Sequence, residues 1–154
     1  MKSQGIRISD KKNGTGLIDF VDILAEINNG NSFYWSILFL EVIGNLGEER
    51  LNPPFAENIN KSVNGLFMDW EGLNSIAKKF EQVIDMIVLG CKDKNKLQRY
   101  EIEQEMYETC DIVIQMVDSS FWEVFSIDVQ LIERLEKKFK QIKFLESDFL
   151  EKQR

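Results

Sequence analysis

Histidine is absent from the chain. Without an imidazole there is no Ser-His or Cys-His nucleophile, no imidazole base and no His-containing zinc site. Cysteine is scarce: Cys91 and Cys110 are the two present, and they read as small buried residues in a reducing compartment rather than as a disulfide or a metal pair. Long apolar runs are also lacking. The longest, around Trp35–Val42, falls far short of the roughly 20 residues that a membrane-spanning helix needs. The opening MKSQGIRISDKKNG has no apolar centre, so no secretory signal is expected and the cytoplasm is the default compartment. Phosphate-loop signatures are missing, because GLGE and NGTG lack the trailing Gly-Lys-Ser/Thr. The nucleophile elbow Gly-x-Ser-x-Gly is missing too.

What is present is acid, and it is concentrated. The segment from Tyr100 to Glu133 spans 34 residues with nine carboxylates and no Lys or Arg. These are Glu101, Glu103, Glu105, Glu108, Asp111, Asp118, Glu123, Asp128 and Glu133. Residues 1–99 carry a net −1 and residues 134–154 a net +3, so this one segment accounts for the acidic excess behind the overall −7. A pI near 4.8 argues against nucleic acid as a partner, since phosphate contact needs clustered cations. It fits a basic protein partner, or simply solubility.

At 154 residues, with 44% hydrophobic and 29% charged residues, the chain is long enough for one domain with a substantial core. GIRIS predicts a short edge strand, followed by a turn at DKKNGTG. Leu17, Phe20, Val21, Leu24 and Ile27 fall at helical spacing, which predicts a helix over about 16–28 that stops at Asn28-Asn29-Gly30. Phe33 to Ile43 is apolar on both faces of an alternating pattern, as an interior strand should be. Phe33, Trp35, Ile37 and Phe39 are expected on one face, and Tyr34, Leu38, Leu40 and Val42 on the other. Gly44–Gly47 closes the strand and GEERLN continues as a loop.

Pro53-Pro54 opens a helix with Phe55, Ile59 and Val63 on one face and Gly65 just past its end. Leu66–Met68 is a short strand. Asp69 caps a further helix striped with Trp70, Leu73, Ile76, Ala77 and Phe80. Val83–Cys91 reads as a buried strand interrupted only by Asp85, and KDKNK as a turn. Residues 97–109 fit a helix or a strand, with the balance toward a helix that feeds a strand. Asp111–Val117 and Phe121–Phe125 around Asp118-Ser119-Ser120 make a hairpin. A last helix, capped by Ser126 or Asp128, carries Leu131, Ile132, Leu135, Phe139 and Ile142. The whole predicts a single α+β domain over 1–154, a mostly antiparallel sheet with helices packed on it, and loose ends at 1–14 and 146–154.

Three functions compete for the acidic segment. As a partner-binding surface it would use Glu101, Glu103, Glu105, Glu108, Asp111, Asp118 and Glu123. Trp122 would serve as an apolar anchor, since Trp beside charge is a frequent interface residue. As a metal-dependent hydrolase it would use Asp111, Asp118 and Glu123, although Asp111 and Asp118 point to opposite faces of a regular strand. As a regulatory or structural protein it would self-associate, and the acids would be a solvated face. Uncompensated repulsion favours the first: Glu101 and Glu105 at i,i+4, and Glu105 and Glu108 at i,i+3, oppose one another on a helix. No metal or cofactor is expected.

The runs YWSILFLEVIGNLGEE, INKSVNGLFMDWEGL and CDIVIQMVDSSFWEVFS, across roughly residues 33–139, resemble the small acidic immunity proteins that accompany bacterial contact-dependent growth inhibition toxins. The resemblance implies a cytosolic, non-enzymatic protein that binds one cognate toxin domain and blocks it. Many such toxins are nucleases with basic active sites, and an acidic surface would imitate their substrate's charge. No site residue carries over by position.

Overall fold

The structure, a computed structural model, describes residues 3–44 and 54–146. The predicted closure at Asn45–Gly47 and the GEERLN loop lie outside these residues, as do 1–2 and 147–154. Seven strands form one sheet in which every pairing is antiparallel. They are β1 (Gln4–Ile8), β2 (Tyr34–Gly44), β3 (Leu66–Met68), β4 (Phe80–Cys91), β5 (Ile112–Val117), β6 (Phe121–Ser126) and β7 (Ile142–Glu146), in the order β3-β2-β4-β5-β6-β1-β7. The helices are α1 (Phe20–Leu24), α2 (Pro54–Lys61), α3 (Trp70–Ala77), α4 (Glu103–Thr109) and α5 (Val129–Lys138). The α+β reading therefore holds. Among the described residues no helix is long and apolar enough to cross a membrane.

Alternation sorts the strands' residues to two faces. The first face presents Ile6, Ile8, Trp35, Ile37, Met86, Val88, Ile114, Met116, Trp122 and Val124, in one buried cluster with Phe20, Ile23, Ile59, Leu73, Ile76, Leu131 and Leu135 from the helices α1, α2, α3 and α5. The second face presents Leu89, Cys91, Val113, Phe125 and Leu145, and is covered by α4 through Met106 and Tyr107. The Tyr107 ring stacks on Phe125 at 3.8 Å between centroids. A seven-residue helix is too short to roof seven strands, so the second face is only partly covered.

Several expectations change in three dimensions. GIRIS is not at an edge: β1 lies between β6 and β7, and residues 3–14, expected as a loose end, include this interior strand. β2 carries a bulge between Ile37 and Phe39. The extra residue moves Phe39 to the second face and Leu40 and Val42 to the first. Past the short β3, the β2 backbone is completed by a side chain: Leu40 N–H donates to Asn60 Oδ1 at 2.9 Å, and Asn60 Nδ2 donates to Leu40 O at 3.2 Å.

Val63 is 82% exposed and does not extend the buried face of α2. Arg99 finishes that helix by donating to the carbonyls of Ile59, Asn60 and Ser62. Phe80 and Ile142 open strands β4 and β7 rather than ending helices. The ambiguous 97–109 resolves into the short α4 after a 3₁₀ turn at Lys94–Lys96. Caps fall as read: Asp69 accepts from Gly72 N–H at 2.8 Å and Asp128 from Gln130 N–H at 2.9 Å.

Candidate functional site

The acids of the 100–133 segment do not form one patch. Glu101, Glu103, Glu105 and Glu108 are exposed on and beside α4, over the second face. Asp118 is exposed at the β5–β6 turn. Asp128 caps α5 and Glu133 lies on it, and that helix packs on the first face. Asp111 sits where β5 begins and accepts the Lys92 backbone N–H at 2.9 Å.

Two of the predicted contact residues are internal. Trp122 is 1% exposed, stacks on Phe20 at 5.7 Å and donates its indole N–H to Ile18 O at 2.9 Å. It is a core residue and not a surface anchor, because even numbering from Trp122 to Val124 turns it to the helix-covered face. Glu123, at 4% exposure, is also removed from the surface. The hydrolase set is not brought together: Asp111 and Asp118 stand at opposite ends of β5, and Glu123 is bonded elsewhere. Among the described residues no three His, Cys, Asp or Glu side chains converge as metal ligands.

Glu123 instead ends a polar chain across the second face. Arg7 Nε and Nη2 donate to Glu123 Oε2 at 3.0 and 2.9 Å. The guanidinium lies over the Phe121 ring, 4.0 Å from its centroid. Gln115 Nε2 donates to Glu123 Oε1 at 3.0 Å and to the Tyr107 hydroxyl at 2.9 Å. The Tyr107 hydroxyl in turn donates to Glu103 Oε2 at 3.3 Å. The register makes this possible, because Arg7 pairs with Glu123 and Glu123 with Gln115 across three adjacent strands. Burial raises the Tyr107 phenol above its ordinary range, with Glu103 and Glu123 adding to the effect and the Gln115 bond opposing it. Tyr107 thus stays a neutral donor.

Beside this chain, where α4 stops covering the sheet, lies an open groove of about 590 Å³. Arg7, Glu123, Gln115 and Phe121 form part of its lining, with Phe39, Ile87, Val117, Asp85, Tyr107 and Glu103 completing much of the rest. Asp85 Oδ1 accepts the Asp118 backbone N–H at 2.8 Å, and the Ser119 N–H donates to Ile84 O at 2.8 Å. The hairpin tip is thereby tied to β4, with Asp118 and Ser119 both at positive φ.

Sequence reading missed Arg7, Asp85, Gln115 and Phe39. Two of these left a signal, since Arg7 interrupts GIRIS and Asp85 interrupts VIDMIVLGC, each a charge inside an otherwise apolar strand. Cys91 and Cys110 are buried free thiols in the second-face cluster.

No protein-family model, curated protein or solved structure matches this chain.

Proposed function

We propose that this chain is a non-enzymatic immunity protein that binds and neutralises a cognate toxin domain of basic character, docking it on the sheet face that carries α4. The observation behind the reading is the unmixed charge on that helix and on the residues just before it. Glu101, Glu105 and Glu108 are exposed, and among the described residues none of the three is ion-paired with Lys or Arg. Helix electrostatics account for part of this pattern, because Glu103 and Glu105 lie in the first turn, where negative charge is favourable. They do not account for Glu108, which sits in a last turn that holds no basic residue. It meets the negative end of the helix, at a cost of a few tenths of a kcal/mol.

The docking set is accordingly Glu101, Glu103, Glu105 and Glu108, with Asp118 beyond them at the hairpin tip. Trp122 and Glu123 drop out by burial, while Asp111, half-buried and accepting the Lys92 backbone N–H, stays at the margin of the set. Complementary charge would mainly speed encounter and select the partner. The test is growth of cells that express the C-terminal domain of a secreted effector encoded beside this chain. Wild type should restore growth, and the Glu101→Lys/Glu105→Lys/Glu108→Lys variant, folded by circular dichroism, should not. Full protection by the variant would remove α4 as the docking element.

A further inference from the structure

We propose that the groove beside α4 is a receptor for one arginine or lysine side chain of the protein partner. The inference rests on the reading that the partner is basic, and adds to it the place and chemistry of the anchor.

Among the described residues the groove has one Arg, and it is already spent. Arg7 gives two donors to Glu123 and lays its face on Phe121, so neither its charge nor that ring face is open to an anion. Among the described residues the carboxylates of the lining are Asp85, Glu103 and Glu123; Arg7 is paired with Glu123, and Asp85 has no Lys or Arg beside it. Phe39, Ile87 and Val117 supply an apolar wall. A long methylene stem ending in a cation matches both halves of such a lining, since Lys and Arg bury their stems on apolar surface and keep the head on charge. About 590 Å³ holds a side chain of this size with room for its backbone.

The Arg7–Glu123 pair supports the same conclusion. A buried ion pair is often no more stabilising than apolar residues of equal volume, and this one stands beside Val113 and Phe125, two positions along the paired strands on the same face. In a folding role it brings little. In a recognition role it fixes Phe121, through the guanidinium stack, and it holds Gln115 and Tyr107 in line. Asp85 is likewise held in place, by the Asp118 N–H.

The experiment is a titration of the full ¹⁵N-labelled chain with Nα-acetyl-arginine amide, followed by amide chemical shifts. The neutral isostere Nα-acetyl-citrulline amide is the control. A ligand this small is expected to saturate at concentrations on the order of millimolar. Shifts should centre on Phe39, Ile87, Gln115, Val117, Phe121 and Glu123. Citrulline should bind about fivefold more weakly or worse, and Asp85→Asn should cost about fivefold in arginine affinity, the upper end for a partly exposed ion pair. That substitution keeps the Oδ1 acceptor for Asp118, so the fold is preserved.

An equal response to citrulline, no saturable response, or shifts confined to the outer side of α4 would each overturn the proposal. The two readings fail separately. Arginine binding in the groove together with full protection by the α4 triple-lysine variant would sustain the groove and remove the helix. Lost protection without arginine binding would do the reverse.

Discussion

Replacing Arg7 by Met leaves the Glu123 carboxylate, 4% exposed, without its cation. It loses two charge-assisted hydrogen bonds, at 3.0 and 2.9 Å, and keeps only the Gln115 amide. Removing one partner of a buried pair costs about 3–5 kcal/mol. Here the lower end applies, because the Arg7 side chain is 26% exposed and the groove admits water to the vacated position. Loss of the Phe121 stack adds roughly 0.5–1 kcal/mol. Arg7→Met should therefore destabilise by about 3–4 kcal/mol. Adding Glu123→Leu should restore most of it, bringing the double variant within about 1 kcal/mol of wild type, since apolar residues replace a buried pair at little net cost. Urea unfolding at constant m-value measures each corner of the cycle. The expected coupling is about 2 kcal/mol or more, beyond the roughly 0.3–0.5 kcal/mol scatter of independent sites. If the two single losses simply add in the double variant, Arg7 and Glu123 are not an interdependent buried pair, and the floor of the groove is not built as described.

Trp122→Phe removes the indole donor to Ile18 O and part of the stack on Phe20, and should lower stability by about 2 kcal/mol in thermal or urea unfolding while leaving affinity for the proposed partner unchanged. A change in affinity at equal foldedness would return Trp122 to the interface. Gly65→Ala should cost about 2 kcal/mol or more by the same measurement, because φ is +84° and the new methyl would stand 2.5 Å from the Ile37 carbonyl oxygen. A neutral result would mean that the 62–65 turn relaxes freely. Tyr107 predicts an alkaline limit. Its folded pKa is raised above the ordinary value of 10, so the stability it contributes is fully present below pH 10 and is lost as pH rises through the folded pKa. Tyr107→Phe should therefore flatten the fall of unfolding free energy above pH 10. An unchanged slope would place the proton release on unfolding elsewhere.

The α+β class and the hairpin were legible because their signals are local. Alternation through Ile112–Val117 and Phe121–Ser126 and a turn of Asp-Ser-Ser lie within a few residues of one another. So did the caps Asp69 and Asp128, each bonded to a neighbour two or three residues on. The misses depend on distant chain. Glu123 and its cation are separated by 116 residues, and nothing near Glu123 announces Arg7. β1 is interior only because the C-terminal β7 pairs with its second edge. The β2 bulge reverses the faces of Phe39 and Leu40 without any mark in a run that is apolar at both parities. Trp122 was read by its charged neighbours, although its own parity, shared with Val124, is that of the main core. The acidic run misled most through its length, since α4, the hairpin and α5 carry its members to different sides of the sheet.

Association kinetics test the docking face most directly. With the purified domain of the proposed toxin partner, wild type should associate at on the order of 10⁸ M⁻¹s⁻¹ in low salt and slow steeply as salt is added. The Glu101→Lys/Glu105→Lys/Glu108→Lys variant should associate at least about tenfold more slowly and lose most of that salt dependence. Equal rates for the two proteins, with the same response to salt, would contradict an acidic docking surface on α4.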